Sequence, residues 1–126
     1  MGTYRYCNPN PLKKEVGDCV VRAFSVATDM SWDDVYNELC RIGFQLKAMP
    51  NDKETYQAFL LNHGYKYHGI SNKKGSKRPT VKDMKKMGSV ICVVANHLVT
   101  IKDKEIYDLW DSSEKSLYGY WIKEQE

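Results

Sequence analysis

Long apolar runs, paired cysteines and a strong excess of either charge are all missing from this sequence. The longest apolar stretch, "SVICVVA", falls far short of the ~20 residues needed to span a bilayer, so no membrane helix is expected. The N-terminus "MGTYRYCNPNPLKKE" has no apolar core of a signal peptide, and Tyr6 stands where a myristoylation signal needs Ser or Thr. A cytoplasmic location is the expectation. The four cysteines, Cys7, Cys19, Cys40 and Cys92, form no CxxC pair and read as free thiols of a reducing compartment. With the three histidines they match no zinc spacing, so no metal and no other cofactor is expected. A net charge of only +3 provides no global field for nucleic acid. Internal repeats and low-complexity segments are absent.

What is present suits one domain with one modest core: 126 residues, 42% hydrophobic and 12% aromatic. Residues 1–16, with "NPNP", read as an irregular arm. Asp18 is placed to cap a buried first helix from about Cys19 to Thr28, apolar on nearly all sides. Ser31 and Asp34 resemble a capping box opening a second helix through about Leu46. Asn51 is expected to cap a third helix, stopped by Gly64, and Thr80 a short fourth one. Beyond it "SVICVVA", "HLVTI", "EIYDLWD" and "LYGYWI" read as consecutive strands of a small antiparallel meander. Helices first and strands last, without alternation, make the fold class α+β over residues 1–126.

Cys19 stands out among the thiols because it opens a helix. The positive end of the macrodipole and the unpaired N–H groups of the first turn both favour thiolate, the reactive form. Cys40 and Cys92 lie on apolar faces and read as core. Thiolate chemistry needs a proton acceptor with an orienting partner. His63 and His68 read as surface or loop residues, whereas His97 begins a strand at the rim of the sheet. The acid follows from hairpin register, since strand side chains alternate faces. A three-residue loop, Asp103 to Glu105, pairs His97 with Asp111, Val99 with Leu109 and Ile101 with Tyr107. A two-residue turn instead sets Val99 opposite Asp108 and buries a carboxylate among apolar neighbours, which is costly if it is unpaired. Asp111 is therefore the expected orienting acid and Asp108 the reserve.

A "DC" turn opening a buried helix, a distant His starting a strand and an Asp near the end of the next strand resemble the papain-like cysteine peptidase superfamily. The likeness is to its compact bacterial branch, which includes bacteriocin leader-peptidase domains. The wording "GDCVVRAFSVATDMSWDDVYNEL", with "NHLVTI" and "IYDLWDSS", is also similar to small proteins of bacteria and their phages. The resemblance covers the first two helices and the hairpin, about half of the chain. It implies a papain-like fold whose central helix packs on the C-terminal sheet, and a triad of Cys19, His97 and Asp111. Such a triad attacks an amide, isopeptide or thioester carbonyl of a peptide or protein substrate through an acyl-enzyme. The superfamily commonly carries a Gln shortly before the nucleophile, lining the oxyanion hole. This chain has Leu12, Lys13 and Lys14 there, which leaves Asn8 or Asn10 to supply an amide. Val20 and Val21 also replace the small residue that often follows the nucleophile.

Two other classes of function remain open on the sequence. A papain-like fold without turnover would hold a peptide or protein partner in its cleft. A nucleic-acid-binding module would use the basic segment 73–86, with Tyr65, Tyr67 and His68 stacking on bases, and the low net charge argues against it. Arg22, one helical turn after Cys19, is either paired with an acid, snorkelling, or a binder of a substrate carboxylate near the nucleophile. Trp110 is placed to shield the contact between His97 and its acid from water.

Overall fold

The computed structural model describes residues 4–14, 17–70 and 78–123. Three α-helices, α1 (Cys19–Thr28), α2 (Trp32–Leu46) and α3 (Lys53–Asn62), precede a 3₁₀ helix at Val81–Met87. The strands are β1 (Tyr4–Tyr6), β2 (Tyr65–Gly69), β3 (Val90–Val94), β4 (His97–Lys102), β5 (Glu105–Asp108) and β6 (Gly119–Lys123). They form one six-stranded sheet in the order β1-β5-β4-β3-β6-β2, antiparallel except for the β1–β5 pair. The class is α+β.

The sheet corrects the expected meander. β6 does not extend the sheet beyond β5 but returns to pair with β3, and β2 joins outside it. The arm is not wholly irregular either, because Tyr4–Tyr6 adds a parallel edge strand to β5. Both missed strands carry an aromatic at alternate positions, "YRY" and "YKYHG", the period-2 signal of a half-buried strand.

The central strands are apolar on both faces because both faces are covered. On one side Ile91, Leu98 and Trp121 pack with Val21, Phe24, Val35, Leu39, Phe59 and Leu60 of the helices. On the other, Val90, Cys92, Val94, Val99, Ile101 and Ile106 pack under Val81 and Met84 of the 3₁₀ helix and Leu117. Helix α1 lies along β4: Thr100 Oγ1 donates to the Ala23 carbonyl at 2.6 Å, and Lys102 Nζ to that of Val26 at 3.2 Å. Caps follow local chemistry. The Ser31 side chain accepts from the Asp34 N–H at 3.0 Å, and Thr80 and Asp83 form a full capping box. The N-cap of α3 is Asp52 rather than Asn51, and Gly64 ends that helix with φ +85°.

Candidate functional site

Helix α1 starts at Cys19, so its half-buried thiol occupies the first helical position. The N-cap residue Asp18 does not cap as expected, because its carboxylate is engaged elsewhere. Oδ1 pairs with the Arg22 guanidinium one turn on, and Oδ2 accepts from the Trp32 indole at 2.9 Å. Among the described residues the first turn of α1 thus has no side-chain cap, and the turn holds no acidic residue over its N–H groups.

His97, the first residue of β4, reaches Cys19 with one side of its ring and an acid with the other. That acid is Asp108, whose Oδ2 lies 2.6 Å from His97 Nε2. The remaining ring nitrogen, Nδ1, is therefore the one available to the thiol. Asp108 closes β5 and is 1% exposed. Its Oδ2 also accepts from the Ser112 hydroxyl at 3.0 Å, while Oδ1 accepts from the Leu109 N–H at 2.8 Å and the Arg22 guanidinium at 3.3 Å. The ring of Trp110 leans on the imidazole, centroids 5.0 Å apart, and is itself 42% exposed.

The expected acid, Asp111, is replaced in this position by its reserve. The β4–β5 hairpin pairs Ile101 with Ile106 and Lys102 with Glu105, leaving a two-residue turn at Asp103 and Lys104. Continuing that register sets Asp108 opposite Val99, on the same face as His97 and diagonal to it. The argument against burying Asp108 assumed an unpaired charge, and the charge is paired on every side. Asp111 is exposed instead and accepts from the Ser113 N–H at 3.0 Å; the Ser113 side chain first, and that N–H second, hold its carboxyl below the usual range.

Other expected site residues also take structural roles. Arg22 is 4% exposed and bridges Asp18 and Asp108, so it is not free to bind a substrate carboxylate. Asn8 donates through Nδ2 to the Lys14 carbonyl at 3.1 Å and accepts from Asn10 N–H, while Asn10 Oδ1 accepts from Leu12 N–H. Both are buried in the arm's own turn, and neither lines the cleft at Cys19. Of the other histidines, His63 binds Glu38 at 2.7 Å and stacks on Phe59, and His68 stacks on Tyr120. Tyr65 is buried, and Tyr67 packs on Trp121 while staying 44% exposed. Part of the basic 73–86 segment lies outside the described residues. Within the rest, Lys82 pairs with Glu114 at 2.7 Å.

The electrostatics agree with the geometry. Burial by itself pushes the Cys19 thiol up. The hydrogen bond to His97, a backbone bond from Leu98 and the charges of His97 and Arg22 outweigh burial and hold the thiol below its ordinary value. Burial pushes His97 down, but the bonds to Asp108 and Cys19 carry it up to about 9. The two together favour thiolate and imidazolium at neutral pH. Cys92, by contrast, is pushed up to about 12 by burial, and burial raises Cys7 as well.

The pair opens on a cleft of about 510 Å³. Its helical wall is Gly17, Cys19, Val20 and Tyr56, and its sheet wall includes Val93, Val94, His97 and Tyr118. A second cavity of about 370 Å³, walled by Trp32, Tyr36 and Met49, shares Gly17, Val20 and Asn51 with the first. A third, of about 540 Å³ between β1 and β5, holds no histidine, and its Glu105 is paired with Arg5. Among the described residues no group of three or more His, Cys, Asp or Glu is arranged to hold a metal ion, and no helix is long and apolar enough to cross a membrane.

Asp18, Ser112 and Tyr56 went unnoticed as site residues. The Asp18–Arg22 spacing of one helical turn was a legible signal. Ser112 and Tyr56 had none, since each arrives from another part of the chain. Comparison with protein-family models, with curated proteins and with solved structures finds no match to this chain.

Proposed function

We propose that the protein is a thiol-dependent hydrolase, a cysteine peptidase or amidase of papain-like organisation, with Cys19 as nucleophile, His97 as acid and base, and Asp108 as orienting acid. The observation that carries this reading is that the helix-opening Cys19 and His97 line one open cleft, where the imidazole acts on the thiol, with His97 held 2.6 Å from the buried Asp108. A core histidine satisfied for structural reasons needs no thiol partner at a helix N-terminus. A structural cysteine needs no imidazolium.

The chemistry follows from these positions. The Cys19 thiolate attacks the carbonyl carbon of an amide, isopeptide or thioester; the S–C bond forms as the carbonyl π pair moves onto oxygen. The tetrahedral adduct collapses with loss of the amine or thiol, which takes its proton from His97. His97, now neutral, removes a proton from water, whose oxygen attacks the thioester. Cys19 then leaves as thiolate and His97 is again imidazolium. Asp108 accepts from the ring at Nε2 and fixes it so that Nδ1 serves the thiol. The uncapped first turn of α1 provides N–H groups at the side where negative charge develops.

Alkylation with iodoacetamide across pH tests the pair. One site, Cys19, is expected to react fast at neutral pH, and that fast phase is expected to vanish in Cys19→Ser and fall steeply in His97→Ala. Cys92, buried and held up to about 12, is expected to stay silent. Equal, slow reaction of all accessible cysteines would remove the enzymatic reading and leave the cleft as a peptide-binding groove.

A further inference from the structure

The reaction needs a donor for the oxyanion, and the asparagines expected to provide one are folded into the arm. Among the described residues, the side chains lining the cleft that can donate, apart from His97, are Asn51, Lys53, Asn96, Tyr118 and Tyr56. The first three are exposed, with no packing to fix them. Tyr118 is 47% exposed, and its ring is held under the Arg78 guanidinium. Tyr56 differs on each count. It is half-buried and packs on the same core cluster as Cys19. The edge of its ring meets Phe24 of α1, centroids 6.1 Å apart at 77°, and Phe24 is itself stacked on Phe59. The α1 helix that carries the nucleophile therefore also fixes the phenol.

We propose that Tyr56 is a catalytic residue, donating its phenolic O–H to the oxyanion formed when Cys19 attacks a carbonyl. This role rests on the thiol-hydrolase reading of the site. The phenol and the thiol line the same cleft and pack on the same core cluster, and the two interact electrostatically. Burial, with smaller contributions from Cys19 and Tyr67, pushes the phenol above its ordinary value, so the proton stays on oxygen over the range in which the thiolate is formed. In the step itself the Sγ–C bond forms, the carbonyl π pair becomes an oxygen lone pair, and the phenol shares its proton without giving it up. On collapse that pair returns to the carbonyl, the leaving group departs, and the hydrogen bond weakens. A donor of this kind stabilises acylation, where an oxyanion forms. It does nothing for alkylation by iodoacetamide, where none does.

That contrast supplies the test. Wild type and Tyr56→Phe are compared in the burst of p-nitrophenol from p-nitrophenyl acetate and in the alkylation rate of Cys19 by iodoacetamide. The Phe ring keeps the edge contact with Phe24, and a thermal melt checks that the fold is retained. Acylation is expected to slow about tenfold or more, with alkylation unchanged. Acylation at the wild-type rate overturns the assignment of Tyr56 while the Cys19–His97 pair stands. An equal fall in both rates also overturns it, because Tyr56 then acts on the thiolate rather than the oxyanion. A wild-type Cys19 that alkylates no faster than Cys40 removes the hydrolase reading itself, which is a separate result.

Discussion

At the residue scale, Asp108 and Asp111 share one short segment and differ only in what surrounds them. A carboxylate as deeply buried as Asp108 costs several kcal/mol unless it is matched by partners, and here Arg22, His97, Ser112 and the Leu109 N–H all donate to it. Asp111 faces water and orders only a turn. Replacing Asp108 by Ala is expected to slow Cys19 alkylation at neutral pH about tenfold or more, whereas Asp111→Ala leaves it unchanged. The pH dependence has a definite sign. His97 is raised from 6.5 to about 9 in the folded chain, and Asp108 is the first cause of the rise. Its stabilising contribution is complete below its unfolded value and disappears as pH rises through about 9. Thermal melts should therefore show a larger loss for Asp108→Ala at acidic than at strongly alkaline pH. The imidazole resonances of that variant should titrate lower than in wild type.

At the scale of the element, the β4–β5 turn decides which acid meets the histidine. Asp103 and Lys104 adopt φ of 52° and 67°, the two left-handed positions of a type I′ turn, whose twist matches that of the flanking strands. One more residue in the loop moves every β5 side chain to the other face and takes Asp108 away from His97. Neither Asp nor Lys is the residue best suited to those angles. The double replacement Asp103→Asn with Lys104→Gly is expected to stabilise the protein by about 0.5–1 kcal/mol, seen as a thermal midpoint a few degrees higher, with Cys19 reactivity unchanged. The N-terminus of α1 shows a related economy: because Asp18 is drawn to Arg22 and Trp32, the helix begins without a carboxylate over its free N–H groups.

At the scale of the molecule, the site joins two layers. Cys19 comes from the helical layer, His97 and Asp108 from the sheet, and Arg22 ties them by bridging Asp18 of the first to Asp108 of the second. Removing the cation leaves the buried Asp18 without a counter-charge and Asp108 with that of His97 alone. Arg22→Met should cost about 3–5 kcal/mol in denaturant unfolding, well above a surface substitution. Because Arg22 also helps to hold the Cys19 thiol down, the acid limb of the alkylation profile should move to higher pH in the same variant. A melt and a profile that both match wild type would show that the bridge does not connect the layers energetically.

The sequence by itself determined the local elements and two of the three members of the proposed triad. The helix Cys19–Thr28 follows from its apolar run, Trp32–Leu46 from its Ser31 cap and period of 3.6, the stop at Gly64 from a glycine, and the hairpin between "HLVTI" and "IYDLWD" from a period of 2, all short-range signals. Cys19 and His97 were legible for the same reason, since each begins an element. Only the tertiary structure decided the order of the sheet, because the return of β6 to β3 and the pairing of β1 with β5 are long-range choices that no local pattern encodes. It also decided the acid. Whether Asp108 can be buried depends on a cation contributed by a helix 86 positions away along the chain, and that compensation exists only once the two layers have packed.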